Sequence, residues 1–202
     1  MKIIAIGRNY AEHTKELNNT TPTQPVIFLK PDTAVLKNNQ AFYHPDFSTN
    51  IHHEVEVIVK ISKEGKYIAK KFAHKYYNEV SVGIDFTARD IQEKLKQNGL
   101  PWAIAKAFDN SAPVGSFISK EGLNLANLNF RLEVNNSIKQ QGNTSDMLFT
   151  IDDIIAFASQ YFTLKKGDLL FTGTPAGVGK IHIGDRLTGY IEDMKLLDFE
   201  VK

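Results

Sequence analysis

Short apolar runs broken by glycine, proline and polar residues dominate the chain, so the pattern predicts more strands than helices. Residues 2–6 read as a short buried strand ended by Gly7, and residues 8–17 as a short helix. Residues 18–25 form a polar, proline-punctuated loop, either a plain connector or part of a lid. A strand is expected at 26–30, closed by Pro31-Asp32, with weaker ones near 34–36 and 41–43. The clearest strand spans 51–60: Val55, Val57 and Val59 share one face, and Glu54 and Glu56 share the other. After a turn at 62–66, residues 67–77 are basic and aromatic and keep neither period.

Residues 79–86 return to a strand, with Asp85 near its C-terminal end. Thr87 suits an N-cap, with Asp90 three residues on, for a helix over 88–97 that Asn98-Gly99 stops. Ile91 and Leu95 would face the core, and Arg89 and Gln92 share a different face near the helix start. Strands at 128–134 and 137–141 meet at Asn135-Asn136, a hairpin signal. Thr150 caps a helix over 151–162, whose Ile151, Ile154, Ile155, Ala158 and Phe162 form a core stripe. A turn at 165–168 leads into a strand at 169–172 and the glycine-bearing segment 173–180, and the tail 186–202 is two strands with a turn near Glu192-Asp193. No repeat, linker or low-complexity segment interrupts this order. The pattern implies one domain over residues 1–202, an α+β, β-rich fold with a curved or partly rolled sheet.

Composition narrows the function more than the fold. Lys plus Arg number 24 against 23 Asp plus Glu, leaving a net charge of +1 and no broad field for nucleic acid or anionic membrane. The short basic and aromatic run with Lys70, Lys71, His74 and Lys75 does not change that. The absence of cysteine excludes disulfides, thiolate catalysis and Cys-ligated metal, and fits a reducing cytoplasm. The apolar run at 3–6 is too short for a signal peptide and nothing approaches a membrane span, so a cytoplasmic location is expected.

Candidate chemistry sits at a few points. Glu54 and Glu56 lie roughly 6–7 Å apart along one strand face. Taken alone they suit a solvated face, or a pair of hard-oxygen ligands for Mg²⁺ or Mn²⁺. His13 and Glu16 share a helix face, where a carboxylate can fix an imidazole's tautomer and raise its basicity. Lys106, set among apolar neighbours, would be partly desolvated and aimed at an anion, or would snorkel outward. The segment 173–180 fails as a phosphate loop, because five residues separate Gly173 from Gly179 and Ile181 stands where Ser or Thr is required. Its backbone N–H groups can still approach an anion.

Several runs taken together carry a resemblance. They are Gly7-Arg8-Asn9-Tyr10-Ala11-Glu12-His13, His53-Glu54-Val55-Glu56, Gly83-Ile84-Asp85-Phe86-Thr87-Ala88-Arg89-Asp90-Ile91-Gln92, Trp102-Ala103-Ile104-Ala105-Lys106-Ala107-Phe108-Asp109, Gln141-Gly142-Asn143-Thr144 and Gly173-Thr174-Pro175-Ala176-Gly177-Val178-Gly179. In this order the chain resembles the fumarylacetoacetate hydrolase family, closest to its short acylpyruvase-like branch. The resemblance implies the family's mixed β-roll, as in its C-terminal domain, and a homodimer. It places Glu54, Glu56 and Asp85 at the positions of three carboxylates that hold Mg²⁺ or Mn²⁺. His13 and Glu16 match a water-activating dyad on a helix that orders as a lid, Lys106 matches a lysine reaching the substrate, and Arg89, Gln92 and Thr174 match its oxyanion and carboxylate contacts. His52 and His53 are expected to support the site rather than bind the metal.

The implied reaction is hydrolysis of a C–C bond in an acylpyruvate, giving pyruvate and a carboxylic acid. Decarboxylation of oxaloacetate and isomerisation of 2-hydroxyhepta-2,4-diene-1,7-dioate use the same metal–enolate chemistry and stand as alternatives, with a metal-containing binding module as the alternative from another class. The tyrosine-catabolic reaction of the larger hydrolases is not expected, since their N-terminal domain has no counterpart here. Glu192-Asp193-Met194-Lys195 departs from the family's last hairpin, which carries glycines.

Overall fold

The computed structural model describes residues 1–16 and 20–202. The expected helix end at Leu17 and the loop start at Asn18 and Asn19 lie outside them. In chain order the elements are β1 (Ile3–Gly7), α1 (Ala11–Glu16), β2 (Val26–Lys30), β3 (Val35–Leu36), β4 (Ile51–His53), β5 (Val55–Ile61), α2 (Lys70–Ala73), β6 (Tyr77–Ile84), β7 (Thr87–Ala88) and α3 (Arg89–Gln97). Then come α4 (Ala103–Lys106), β8 (Ala112–Pro113), β9 (Ile118–Ser119), β10 (Asn129–Val134), β11 (Ser137–Asn143), α5 (Ile151–Tyr161), β12 (Leu169–Phe171), β13 (Gly179–Lys180), β14 (Arg186–Ile191) and β15 (Met194–Glu200).

A six-stranded sheet in the order β2-β1-β12-β5-β6-β9 forms the centre, antiparallel except where β1 and β12 run parallel. A four-stranded antiparallel sheet, β11-β10-β14-β15, packs on it, and small sheets β13-β4-β7 and β3-β8 complete a mixed, β-rich α+β fold. None of these sheets closes into a barrel among the described residues. Strands β1 and β12 read as continuous apolar runs because both of their faces are covered. Ile4, Ile6, Val55, Val57, Val59, Val80 and Val82 join the main core with Phe130, Leu132, Leu187 and Leu197. Ile3, Ala5, Ile58, Leu169 and Phe171 pack on the opposite face. Where the two sheets meet, a Cβ on Gly189 would lie 3.0 Å from Val82, so the small residue permits close sheet contact.

The strand expected over 51–60 is split at Glu54 into β4 and β5, which belong to different sheets; the alternation of Val55, Val57 and Val59 holds within β5, but the second face is not solvated. Glu54 and Glu56 are both buried, which removes the surface reading of that pair. The hairpin turn is as expected: Asn135 and Asn136 both take positive φ, 52° and 62°, a conformation asparagine tolerates. Thr150 caps α5 in a reciprocal box with Asp153. Thr87 does not cap α3; it belongs to β7, and its hydroxyl donates to Glu54 Oε1 at 3.0 Å. The weak strand near 41–43 is a single bridge between Phe42 and Val201, and 67–77 contains the short helix α2.

Candidate active site

The site lies where β5, β6 and β12 end together. Glu54 immediately precedes β5, Asp85 follows β6, and the Asp85 N–H donates to the Glu54 carbonyl at 2.8 Å, setting the two side by side. Glu56 stands on the same face of β5 as Glu54, and its Oε2 accepts from the Gly173 N–H at 2.7 Å, just after β12. Ligand oxygens of Glu54, Glu56 and Asp85 lie within 4.8 Å of one another, all buried.

Cations from three elements meet this cluster. Lys106, at the end of α4, donates to Glu54 Oε2 at 2.8 Å and Asp85 Oδ2 at 2.6 Å. Arg89, in the first turn of α3, donates to Glu54 Oε1 at 2.6 Å and to Gln92 Oε1 at 2.7 Å. Lys30, at the end of β2, sits 2.5 Å from Asp85 Oδ1 and donates to the Ser111 carbonyl at 2.8 Å. Burial opposes the negative charge of Glu54, but Lys106 and Arg89 outweigh it and hold its carboxyl far below the usual range. Burial opposes the ammonium of Lys106 as well, and the Asp85 and Glu54 charges overcome it, so its pKa is raised. For Lys30 burial prevails over Asp85 and the pKa is lowered.

Glu56 differs from its neighbours. Burial and the Asp85 charge push its carboxyl well above the usual range, against the single Gly173 N–H. No ammonium or guanidinium contacts it among the described residues. A hard divalent cation within reach of all three carboxylates would supply the missing positive charge. The all-oxygen donor set therefore fits Mg²⁺ or Mn²⁺. His52 and His53 are not in this donor group. His52 Nε2 faces Asn50 Oδ1 at 3.0 Å and His53 Nδ1 faces Gln140 Oε1 at 2.8 Å.

Above the cluster, α1 brings in the dyad. His13 is buried, and its Nδ1 lies 3.2 Å from Glu16 Oε2. Glu16 in turn accepts from the Gly177 N–H at 3.1 Å, so the glycine-bearing segment holds the far end of the pair. Asn9 fastens this helix start to the site: its fully buried amide donates to Thr172 O at 2.7 Å and accepts from the Phe149 N–H at 2.8 Å. His13, Glu54, Glu56, Arg89, Gln92, Lys106 and Thr174 line one narrow cleft, with a cavity volume of about 40 Å³, together with Arg8, Phe28, Lys96 and Trp102. Asp85 lies beneath them, and Glu16 stands behind His13. Arg89 Nε is buried with no hydrogen-bond partner among the described residues, a donor left for a ligand.

The structure thus gathers all the residues singled out from the sequence. Sequence reasoning missed Lys30, Asn9, Thr87 and Gln140. Lys30 closes an apolar run just before Pro31, so a buried ammonium there was signalled only weakly. Gln140 sits in a strand of polar residues and carried no signal at all.

Fold and site together define a class: a β-rich α+β chain that gathers three buried carboxylates and two lysines at a sheet end. The chain belongs to the fumarylacetoacetate hydrolase family. The family's fumarylacetoacetate (FAA) hydrolase C-terminal profile matches residues 2–202. It is 42% identical over 201 residues to mouse oxaloacetate tautomerase FAHD1, mitochondrial, covering 99% of this chain and 91% of that protein. A Pseudomonas aeruginosa fumarylpyruvate hydrolase, solved in complex with Mn²⁺ and pyruvate, superposes with a TM-score of 0.93 at 31% identity, over 100% of this chain and 89% of that one. A 2-hydroxyhepta-2,4-diene-1,7-dioate isomerase from Mycobacterium marinum follows at 0.87 and 35%, covering 99% and 73%. These relatives are enzymes of differing reaction type. Among the described residues no helix is long and apolar enough to cross a membrane.

Proposed function

We propose that this chain is a divalent-cation-dependent enzyme acting on small 2-oxo acids, and that it interconverts the keto and enol forms of oxaloacetate. The observation that carries the reading is the His13–Glu16 dyad facing the same cleft as Glu54, Glu56 and Lys106. The 42% identity to an oxaloacetate tautomerase supports it.

Glu54, Glu56 and Asp85 would hold Mg²⁺ or Mn²⁺, which when bound supplies Lewis-acid polarisation of the 2-oxo group. The rest falls to side chains. With Nδ1 engaged by Glu16, His13 keeps Nε2 for the substrate, where it takes the proton from the carbon beside the ketone and passes it to the enolate oxygen, or moves it from the enol oxygen back to that carbon in the reverse direction. Lys106 offers positive charge to the oxygen on which negative charge develops, and Arg89 and Thr174 hold a carboxylate. A second reading, acylpyruvate hydrolysis, uses the same His13 to take a proton from water. The Mn²⁺- and pyruvate-bound hydrolase neighbour favours it. Oxaloacetate decarboxylation needs no such dyad and stands behind both.

The test follows enol-oxaloacetate decay by absorbance, beside pyruvate release from acetylpyruvate and from oxaloacetate, each with and without Mg²⁺. Metal-dependent loss of the enol without pyruvate release supports tautomerisation, and release from acetylpyruvate supports the second reading. His13→Ala should lower the dominant rate by about 10²–10⁴-fold with Mg²⁺ affinity intact. Full activity in His13→Ala removes the dyad from the chemistry.

A further inference from the structure

We propose that Gln140 is a positioning residue that commits the Thr174 hydroxyl to donate a hydrogen bond toward the carboxylate of a ligand in the cleft. The inference rests on the reading of the cleft as a 2-oxo acid site.

Gln140 is almost completely buried on β11, and its amide is pinned at both ends by backbone groups of fixed polarity. Its Oε1 accepts from the Val55 N–H at 2.9 Å, a group that can only donate. Its Nε2 donates to the Pro175 carbonyl at 3.0 Å, a group that can only accept. The two ends of the amide therefore cannot be exchanged.

Everything else follows from that orientation. The second hydrogen of Nε2 goes to Thr174 Oγ1 at 2.8 Å, so the hydroxyl acts as acceptor there. Its own hydrogen has no acceptor among the described residues, and Thr174 lines the cleft. The hydroxyl thus faces the ligand as a donor, matched to a carboxylate or carbonyl oxygen rather than an amine. His53 supports the same amide: because Oε1 only accepts, its Nδ1 must carry a hydrogen to make the 2.8 Å contact. A carboxylate in place of the amide would keep the Val55 and His53 bonds and reverse the third, drawing the Thr174 hydrogen away from the ligand.

Pyruvate binding to the Mg²⁺-loaded protein, measured by calorimetry, tests this in wild type, Gln140→Glu, Thr174→Val and the double variant. Gln140→Glu should weaken pyruvate by about tenfold while Mg²⁺ affinity stays put. In the Thr174→Val background the same change should have no further effect, because its target is gone. Wild-type affinity in Gln140→Glu, or an equal additional loss in the double variant, overturns the inference. If Gln140→Glu does not fold, ¹⁵N resonances of wild-type His53 serve instead. A protonated Nδ1 supports the assignment, and a bare Nδ1 overturns it. Wild-type protein that binds Mg²⁺ but not pyruvate overturns the 2-oxo acid reading itself, and the inference with it.

Discussion

Glu54 and Glu56 sit two apart at the start of β5, yet their surroundings drive their carboxyls in opposite directions. Lys106 and Arg89 keep the first ionised, while burial beside Asp85 leaves the second avid for a cation or a proton. Residue type and spacing are identical in the two cases, so the difference arises only from the side chains other elements deliver. His52 shows the same dependence. Burial, then the charge of Arg89, lowers its pKa from 6.5 to about 4. Between these values the unfolded chain takes up a proton that the folded chain refuses. Its contribution to stability is therefore complete above about pH 6.5 and is lost as the pH falls toward 4. His52→Gln should flatten this part of the profile by about 1 kcal/mol, a figure reduced for the ring's partial exposure. Urea unfolding at pH 5 and pH 7 checks it, and an unchanged difference between the two would exclude His52 as the cause.

Among the elements, the segment after β12 joins the most distant parts of the chain. Gly173 donates to Glu56, Thr174 meets Gln140, and Gly177 holds Glu16. Gly173 takes φ +101°, and a Cβ there would lie 2.6 Å from Asn9 Cβ. Asn9 cannot yield, because its amide ties α1 to both Thr172 and Phe149. Gly173→Ala should therefore cost about 2–4 kcal/mol, from left-handed strain plus overpacking. Gly184 has a similar φ of +94° with open space around it, so Gly184→Ala should show the strain alone, about 1–2 kcal/mol. Equal losses in the two variants, by denaturant midpoint, would mean that the Asn9 contact adds nothing. α1 is short, and it is held at its start by the Asn9 amide and at its end by Glu16 on the Gly177 N–H.

For the whole molecule, the site is a seam. Strands from both halves of the chain end there, and like charges are held together at the junction. A cation bound by the folded form alone stabilises it by mass action, about 2.7 kcal/mol at a hundred times its dissociation constant. Mg²⁺ or Mn²⁺ should thus raise the thermal midpoint of the wild-type protein by about 5 °C or more. Glu54→Gln combined with Asp85→Asn should abolish that rise relative to its own metal-free baseline. An undiminished rise would place the cation elsewhere.

Much of this was legible before any coordinates. The period of β5, the Asn135-Asn136 turn, the Thr150 cap and the helix stop at Gly99 are local, governed by side-chain alternation and backbone preference within a few residues. The candidate site residues could be named for another reason: several short runs in a fixed order resemble one family, although each run alone is ambiguous. Tertiary structure decided what no local rule reaches. It buried both faces of β5, took Thr87 away from its helix to serve Glu54, and brought Lys30 against Asp85. It also turned Gln140, one polar residue among many, into the group that orients Thr174. Hydrogen-bond direction and buried charge depend on partners distant in sequence, and only the folded chain brings those partners together.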